Sequence, residues 1–537
     1  MRRSRLPFFV IVGAAIVIVV AVRVVWPNVR SDAVHIQLVY SSEKQSWIDA
    51  VTPTFNTAIH RTQSGRPIVV DTQALDSGES MNAILQGTEQ PTLWSPSSQA
   101  WIGLINTGWT QAHGKALIAE TCKPVVNSPL VIMMWKADAQ KLGWPTTPIG
   151  WADILTLASA PNSTFRFAHT RADDSDSGLE AVISMTYAAT HKQGNLSLSD
   201  VDNASTAQFM HALESSVVAY GDNTALLSSE MLAQGASFVT AAVGYESTVV
   251  ASYSSGSDSP LVAIYPKEGT PMSDHPACIL DASWVTDEQK DAANVYRDYL
   301  LSVTAQQQAL KFGLRPAAPT PAINSPIDTS HGVDPTLPLA TLPMPDVTTL
   351  RAILDTWKAQ KRQVNLTLLT DVSGNMLDNP DKFPAVQQAI TALIDQLDAG
   401  ATVSLIPFDE QTHSITTNQP VGPNRKSLEN KVKQLVVGNG TNLYDALDSV
   451  LKTTQTDPQR INAVVLLAGI GDTGSKRTLN DVLADLNKTP IAVYTIGYGA
   501  ESDDNTLRRI ASAGHGLFFH ADAITVQQVC QQIATLF

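Results

Sequence analysis

The chain has 537 residues, too many for one hydrophobic core at roughly 100–200 residues per domain, so several folding units are expected. Hydrophobic residues at 44% and charged residues at 16% exclude a mainly disordered chain. With 36 basic against 50 acidic residues the net charge is −14, which disfavours a phosphate backbone as partner, and no basic stretch is interleaved with aromatics as single-strand binding would need.

The N-terminal segment opens with Arg2, Arg3 and Arg5, followed by 17 uncharged residues from Leu6 to Val22. Extended to Trp26, the segment takes in only Arg23, which can snorkel to the interface. Its length as a helix is about 30 Å, enough to cross a bilayer. The flanking arginines keep the first residues inside and send the remainder out. A cleaved signal peptide is the competing reading, but no small-x-small site follows the apolar run cleanly and no lipobox cysteine is present.

From Val34 onward short apolar strands alternate with amphipathic helices. A strand is predicted at His35–Tyr40, a helix at Gln45–Ile59, a strand at Pro67–Thr72 and a helix starting at Ser80–Leu85. A long helix, Asp287–Leu301, precedes a closing segment at Phe312–Pro316. This βαβ rhythm implies an α/β domain. Of the thirty residues from Pro316 to Pro345, eight are proline, which marks an extended linker.

The rhythm then restarts. Strands are predicted at Val364–Leu369, Thr402–Pro407, Ala463–Leu467, Ile491–Ile496 and Gly516–Phe519. Helices are predicted between them, among others at Leu350–Ala359, Phe383–Leu397, Ser427–Leu435 and Leu443–Leu451, and at Val526–Leu536 to close the chain. Continuous apolar strands alternating with helices indicate a parallel sheet covered on both faces.

The three cysteines, Cys122, Cys278 and Cys530, form no metal-binding spacing. Three buried thiols, or a Cys122–Cys278 disulfide in an oxidising exterior with Cys530 left free, are both compatible with them.

Ligands of an open parallel sheet gather at the carboxyl ends of its strands. There the chain places Asp371, Ser373 and Asn375, spaced by two, then Thr441 before a helix, then Asp472 after Ala463–Leu467. This is hard oxygen chemistry, suited to Mg²⁺, Ca²⁺ or Mn²⁺. The stretch from Val364 to Phe537 resembles a von Willebrand factor A domain, whose metal-ion-dependent adhesion site reads D-x-S-x-S with a distant Thr and a distant Asp. Asp371, Ser373 and Thr441 match that pattern. Asn375 stands where the second serine belongs, and Asp472 is the nearby replacement for the distant aspartate. The resemblance implies a divalent ion, Mg²⁺ first, and a protein partner. Local capping and loop-tying by Asp371 and Ser373 is the competing reading. Gly469–Gly474 also fits G-x-G-x-x-G, but the next strand ends in Gly497 rather than the acid a ribose needs, which argues against a dinucleotide.

The segment from Val34 to Ala318 resembles a bacterial extracellular solute-binding protein of the importer type. The resemblance rests on Tyr40–Lys44, Leu93–Ser98, Ser128–Ile132, Ser175–Leu179, Tyr265–Gly269 and Tyr299–Pro316 in that order. Ser41, Ser42, Ser97, Ser98 and Ser177 lie at strand–helix junctions, and Tyr245 is expected to face them from the second lobe. Such ends favour an oxygen-rich or anionic solute, with plain N-capping as the alternative. Asp173, Asp174 and Asp176 read as a solvated acidic loop, and His113, His169 and His275 as structural.

The expected architecture is therefore α/β: a bilobed type-2 periplasmic-binding-protein-like domain (34–318), a proline-rich linker (319–345), and a doubly wound, Rossmann-like A-type domain (346–537, core 364–537). These follow a cytoplasmic tail (1–6) and a single transmembrane signal-anchor (7–26). No nucleophile elbow, Walker loop or H-E-x-x-H motif is present, and the expected function is non-enzymatic binding or adhesion at a cell membrane, or solute capture for an importer.

Overall fold

The computed structural model describes residues 32–255 and 260–537. The predicted cytoplasmic tail and membrane anchor lie outside these residues; among the described residues no helix is long and apolar enough to cross a membrane.

The first lobe is built on a five-stranded sheet in the order Ile68–Ala74, Val34–Tyr40, Leu93–Ser95, Pro276–Ile279 and Lys123–Pro124. The first three strands are parallel and the returning Pro276–Ile279 is antiparallel. Helix Gln45–Thr57 covers it by burying Trp47, Ile48, Val51 and Phe55, an apolar spacing of one helical face. Cys122 and Cys278 are joined by a disulfide beside the crossing strands, and Cys530 is a buried free thiol.

The second lobe is a seven-stranded sheet around the long strand Val126–Trp135, which pairs with Ala241–Tyr245 and Leu261–Ile264. Phe167–Thr170 and Val217–Gly221 extend it in parallel. Helix Asp176–Thr190 is buried along almost its whole length.

The third unit is a six-stranded sheet in the order Thr416–Pro420, Thr402–Phe408, Gln363–Asp371, Arg460–Ala468, Ala492–Tyr498 and His515–Ala521. Five strands are parallel, with near-continuous apolar runs because both faces are covered. The antiparallel edge strand Thr416–Pro420 was not expected from its sequence, TTNQP, which is partly exposed and lacks an apolar alternation. The helix expected at Ser427–Leu435 begins earlier, at Val421.

The proline-rich segment lies back against the second lobe. Leu342 N donates to Thr270 O at 3.0 Å, Ala263 N to Gly332 O at 2.8 Å, and Tyr187 OH to Pro343 O at 2.7 Å. It leads into helix Val347–Gln360, which packs on Ala100–His113 of the first lobe and on Asp176–Thr190 and Ala204–Glu214 of the second.

Trp357, on this helix, is fully buried against an edge of Tyr220, whose phenol donates to Glu214 Oε2 at 2.6 Å, while Glu214 Oε1 holds His169 at 2.9 Å. Backbone joins the same seam, since Tyr220 N donates to Leu536 O at 2.9 Å. Lys361 Nζ reaches Phe537 O at 3.2 Å and Asp398 at 2.5 Å. Trp357→Ala would leave a large cavity where three units meet, and is expected to cost about 3–5 kcal/mol in denaturant unfolding; a loss under about 1 kcal/mol would show that the seam does not depend on this ring.

Candidate functional site

Strand Gln363–Asp371 delivers Asp371 to the carboxyl end of the third sheet, paired with Phe408 on one side, while Thr370 pairs with Leu467 on the other. The chain then turns because Asp371 Oδ1 accepts from Ser373 N at 2.8 Å, a local side-chain-to-backbone turn. Asp371 Oδ2 accepts from Gly469 N at 3.0 Å, tying in the loop after Arg460–Ala468. Two backbone bonds, Gly374 N to Asn439 O at 2.7 Å and Gly438 N to Val372 O at 2.6 Å, knit this turn to the loop that carries Thr441. Three loops thus meet at one end of the sheet.

Ser373 Oγ lies 2.8 Å from Asn375 Oδ1. That is close to the separation of neighbouring ligands around an ion bound at about 2.0–2.1 Å. Both Asp371 oxygens are engaged by backbone N–H groups, one from Ser373 and one from Gly469. Burial pushes the Asp371 carboxyl above its usual range, opposed by the Ser373 and Gly469 hydrogen bonds and by the Lys382 charge. The amide nitrogen of Asn375 is buried without a partner beside Gly469, where a Cβ would come within 2.9 Å of it. Thr441 is buried, and its backbone is held by Thr473. Ser373, Asn375 and Asp371 therefore fit a hard divalent cation in type of donor, with Ser373 Oγ and Asn375 Oδ1 also suitably spaced.

Asp472 departs from the expectation of a distal ligand. Its Oδ1 accepts from Tyr444 N at 3.3 Å and from Ser475 Oγ at 2.5 Å, and its Oδ2 from Ser475 N at 3.2 Å. The bonds to Ser475 close the carboxylate's own loop, and the one to Tyr444 N reaches the first turn of helix Leu443–Thr453, where the helix dipole favours a carboxylate. Among the described residues no group of three or more His, Cys, Asp or Glu side chains is placed to hold a metal ion.

A second polar site lies where the two lobes meet, and all six residues singled out there by sequence border it. Ser97 Oγ donates to Ser41 Oγ at 2.7 Å, Ser98 Oγ to Asp176 Oδ1 at 2.6 Å, and Ser42 Oγ to Asp76 Oδ1 at 2.5 Å. From the second lobe Tyr245 OH donates to Asp176 Oδ2 at 2.8 Å, while Ser177 bonds Thr170 and Thr224. Asp176 is thus no member of a solvated loop: it is 1% exposed and receives Ser98 and Trp101 from the first lobe and Tyr245 from the second.

Sequence reasoning missed the charged groups. Lys44, buried, reaches Ser41 Oγ at 2.5 Å and Ser95 O at 2.8 Å. Glu180 lies one helical turn from Asp176 and its Oε2 accepts a hydrogen bond from Ser273 Oγ at 2.7 Å. The spacing of Asp176 and Glu180 by four was the available signal, since it puts both carboxyls on one helical face. Burial raises Asp176 to about 6 and lowers Lys44 to about 7; Glu180 is pushed well up by burial and by the Asp176 charge. Burial likewise keeps His275 neutral. Glu180 Oε1, Asp76 Oδ2 and His275 Nε2 lack hydrogen bonds.

The lobes touch directly: Gly78 N donates to Asp174 O at 2.8 Å, and a Cβ at Gly78 would fall 2.6 Å from Asp173 O. Beside this contact a cavity of about 640 Å³ opens past Ser42, Glu43, Thr224, Ser247 and Tyr253, a size suited to a small solute.

Comparison with known proteins agrees with both halves. Residues 36–315 match the family model described as bacterial extracellular solute-binding protein, and residues 365–532 match the von Willebrand factor type A domain. An uncharacterized protein of Synechocystis sp., sll0103, is 27% identical over 158 residues, covering 28% of this chain and 36% of that protein, so the chain spans about a third of this relative's length. Among solved structures, a periplasmic thiamin binding protein aligns with TM-score 0.47 at 11% identity, over 62% of this chain and 98% of its own. A von Willebrand factor type A protein from Catenulispora acidiphila aligns with TM-score 0.30 at 21% identity, over 32% and 42%. The chain belongs to the bacterial extracellular solute-binding proteins and carries a von Willebrand factor type A domain behind its two lobes.

Proposed function

We propose that this is a non-enzymatic, membrane-anchored binding protein of the cell exterior, which engages a protein partner through the A-type domain. The observation that carries the reading is the buried Asp371 carboxylate grouped with Ser373 and Asn375 at the strand ends. Asp371, Ser373, Asn375 and Thr441 would hold a divalent ion, Mg²⁺ or its oxygen-seeking relatives Ca²⁺ and Mn²⁺, and the ion would supply Lewis acidity toward a carboxylate of the partner. With one carboxylate in this set the site keeps net positive charge, which suits an acidic partner group. The apolar run Leu6–Val22 supports the anchor, and the Cys122–Cys278 disulfide supports an oxidising compartment.

Titration of the protein with Mn²⁺, followed by the loss of its free-ion spin resonance signal, tests this site. Asp371→Ala is expected to weaken binding at least tenfold, roughly the loss of one charged ligand. Asp472→Asn is expected to leave the affinity unchanged, because Asp472 serves helix Leu443–Thr453. Equal Mn²⁺ affinity in wild type and Asp371→Ala would sink the proposal.

The lobe junction favours a second reading, a solute receptor for an importer with the A-type domain as tether. Its surplus of carboxylates, Glu43, Asp76, Asp176 and Glu180, supports an oxygen-rich or cationic solute over the anion suggested by serine-flanked helix ends. The same carboxylates make the junction pH-sensitive. Asp176 has its carboxyl raised from 3.8 to about 6, so the folded state binds more protons than the unfolded chain across that interval. Stability contributed by Asp176 therefore falls as pH rises through it, and the penalty is constant above. Relative to Asp176→Asn, which lacks this titration, the wild-type melting temperature should drop between about pH 4.5 and about pH 7. Calorimetric scans of both proteins across that range check the sign; a difference that stays flat or rises would contradict it.

A further inference from the structure

Where the second lobe meets the A-type domain, two arginines face a shared space with no acid in direct contact, the Asp457 charge reaching Arg362 only from its pairing with Arg460. Arg166 precedes strand Phe167–Thr170 of the second lobe, and Arg362 precedes strand Gln363–Asp371 of the A-type domain. Both line a cavity of about 850 Å³, together with His515 and Lys141, and both line its narrow extension of about 60 Å³. Arg166 Nε donates to Phe238 O at 2.6 Å, whereas its two amino groups have no acceptor among the described residues. Arg362 gives its amino groups to carbonyls, Nη1 to Val217 O at 2.9 Å and Nη2 to Pro458 O at 3.2 Å and to Arg460 O, which leaves Nε buried and unpartnered. His515 Nδ1 is likewise buried and unpartnered.

No carboxylate is ion-paired with either arginine among the described residues. Asp138, the acid on the cavity wall, is held by Lys141 at 2.6 Å, and Asp457 pairs with Arg460. The other group that answers the Arg166 charge is the Tyr494 phenol, itself buried. Two desolvated guanidinium groups without a directly paired counter-charge are costly, and the free amino groups of Arg166 with the Nε of Arg362 offer charged donors that suit an oxyanion. The Thr240 hydroxyl lines the same wall and adds a neutral donor, while those of Ser163, Ser215 and Ser237 donate to the carbonyls of Leu157, His211 and Gln234.

We propose that this inter-domain cavity binds a small oxyanion of the phosphate class, held by Arg166 from the second lobe and by Arg362 and His515 from the A-type domain. The site is separate from both the lobe junction and the Asp371 loops, and its bound anion would staple the two domains together. A free anion and a phosphate monoester share this chemistry.

Calorimetry of the full-length chain with inorganic phosphate, then with glycerol phosphate, at ionic strength held constant with chloride, tests the proposal. One saturable site per chain is expected, with a phosphate-dependent rise in melting temperature that chloride does not give. Arg166→Gln removes unpartnered donors and should weaken phosphate at least about tenfold, as for a lost charge-assisted hydrogen bond. Tighter glycerol phosphate would mark a monoester as the natural occupant, and tighter inorganic phosphate the free ion. Should the variant fail to fold, the His515 ring is followed by NMR in wild type. Burial and the Arg166 charge hold its pKa down, with Arg362, Tyr494, Lys141 and Asp138 as the other charged or titratable groups around the cavity, and phosphate should move it up. No saturable heat, equal affinity in Arg166→Gln, or a His515 titration untouched by phosphate would overturn the proposal.

Discussion

Helix Val347–Gln360 buries Leu350, Ile353 and Trp357 against helices of both lobes at once, and then hands the chain to the first strand of the A-type sheet. A rigid rod wedged across two lobes opposes their separation, because opening would expose apolar surface worth about 25 cal/mol per Å². The same rod fixes where the A-type domain sits, through Lys361 and Arg362 immediately after it. The closed lobe junction, the knitted backbone at Leu536 and the inter-domain cavity are all arrangements that this shared helix imposes.

The lobe junction shows what such closure does to electrostatics. Serines and threonines satisfy one another and Asp176, yet Glu180, Asp76 and His275 each retain an unpaired buried atom. Low local dielectric makes each omission expensive, so the network is only partly self-sufficient. A junction of this kind responds to protons and to polar guests, and Lys44 with its pKa near 7 sits among the carboxylates as a weakly charged counterweight.

Much of this was legible in the sequence. Apolar runs such as Val364–Leu369 and Ala463–Leu467 could only be buried parallel strands, and the residues just after them located the Asp371 loop. Serines at strand ends located the lobe junction. The charged residues there were not legible, because Asp173, Asp174 and Asp176 look alike in sequence while only Asp176 is aimed at three donors from two lobes. Asp472 was misleading for a similar reason: proximity in sequence to Ala468 says nothing about which helix end claims its oxygens. The Arg166 and Arg362 pairing joins residues nearly two hundred positions apart, so no local pattern announces it.

The disulfide has a topological effect. Cys122 and Cys278 are 156 residues apart, and nearly all of the second lobe lies between them, so the bond turns that lobe into a covalent ring hung on the first. The first two crossings between the lobes, on either side of that ring, are pinned at one point, and a third follows at Arg315–Pro316. If the second lobe melts while the first survives, its ends stay where they began, and most of the loop-closure entropy of recovery has already been removed from the problem. Thermal damage to one lobe is thereby confined, and repaired from a tethered coil rather than from a free chain.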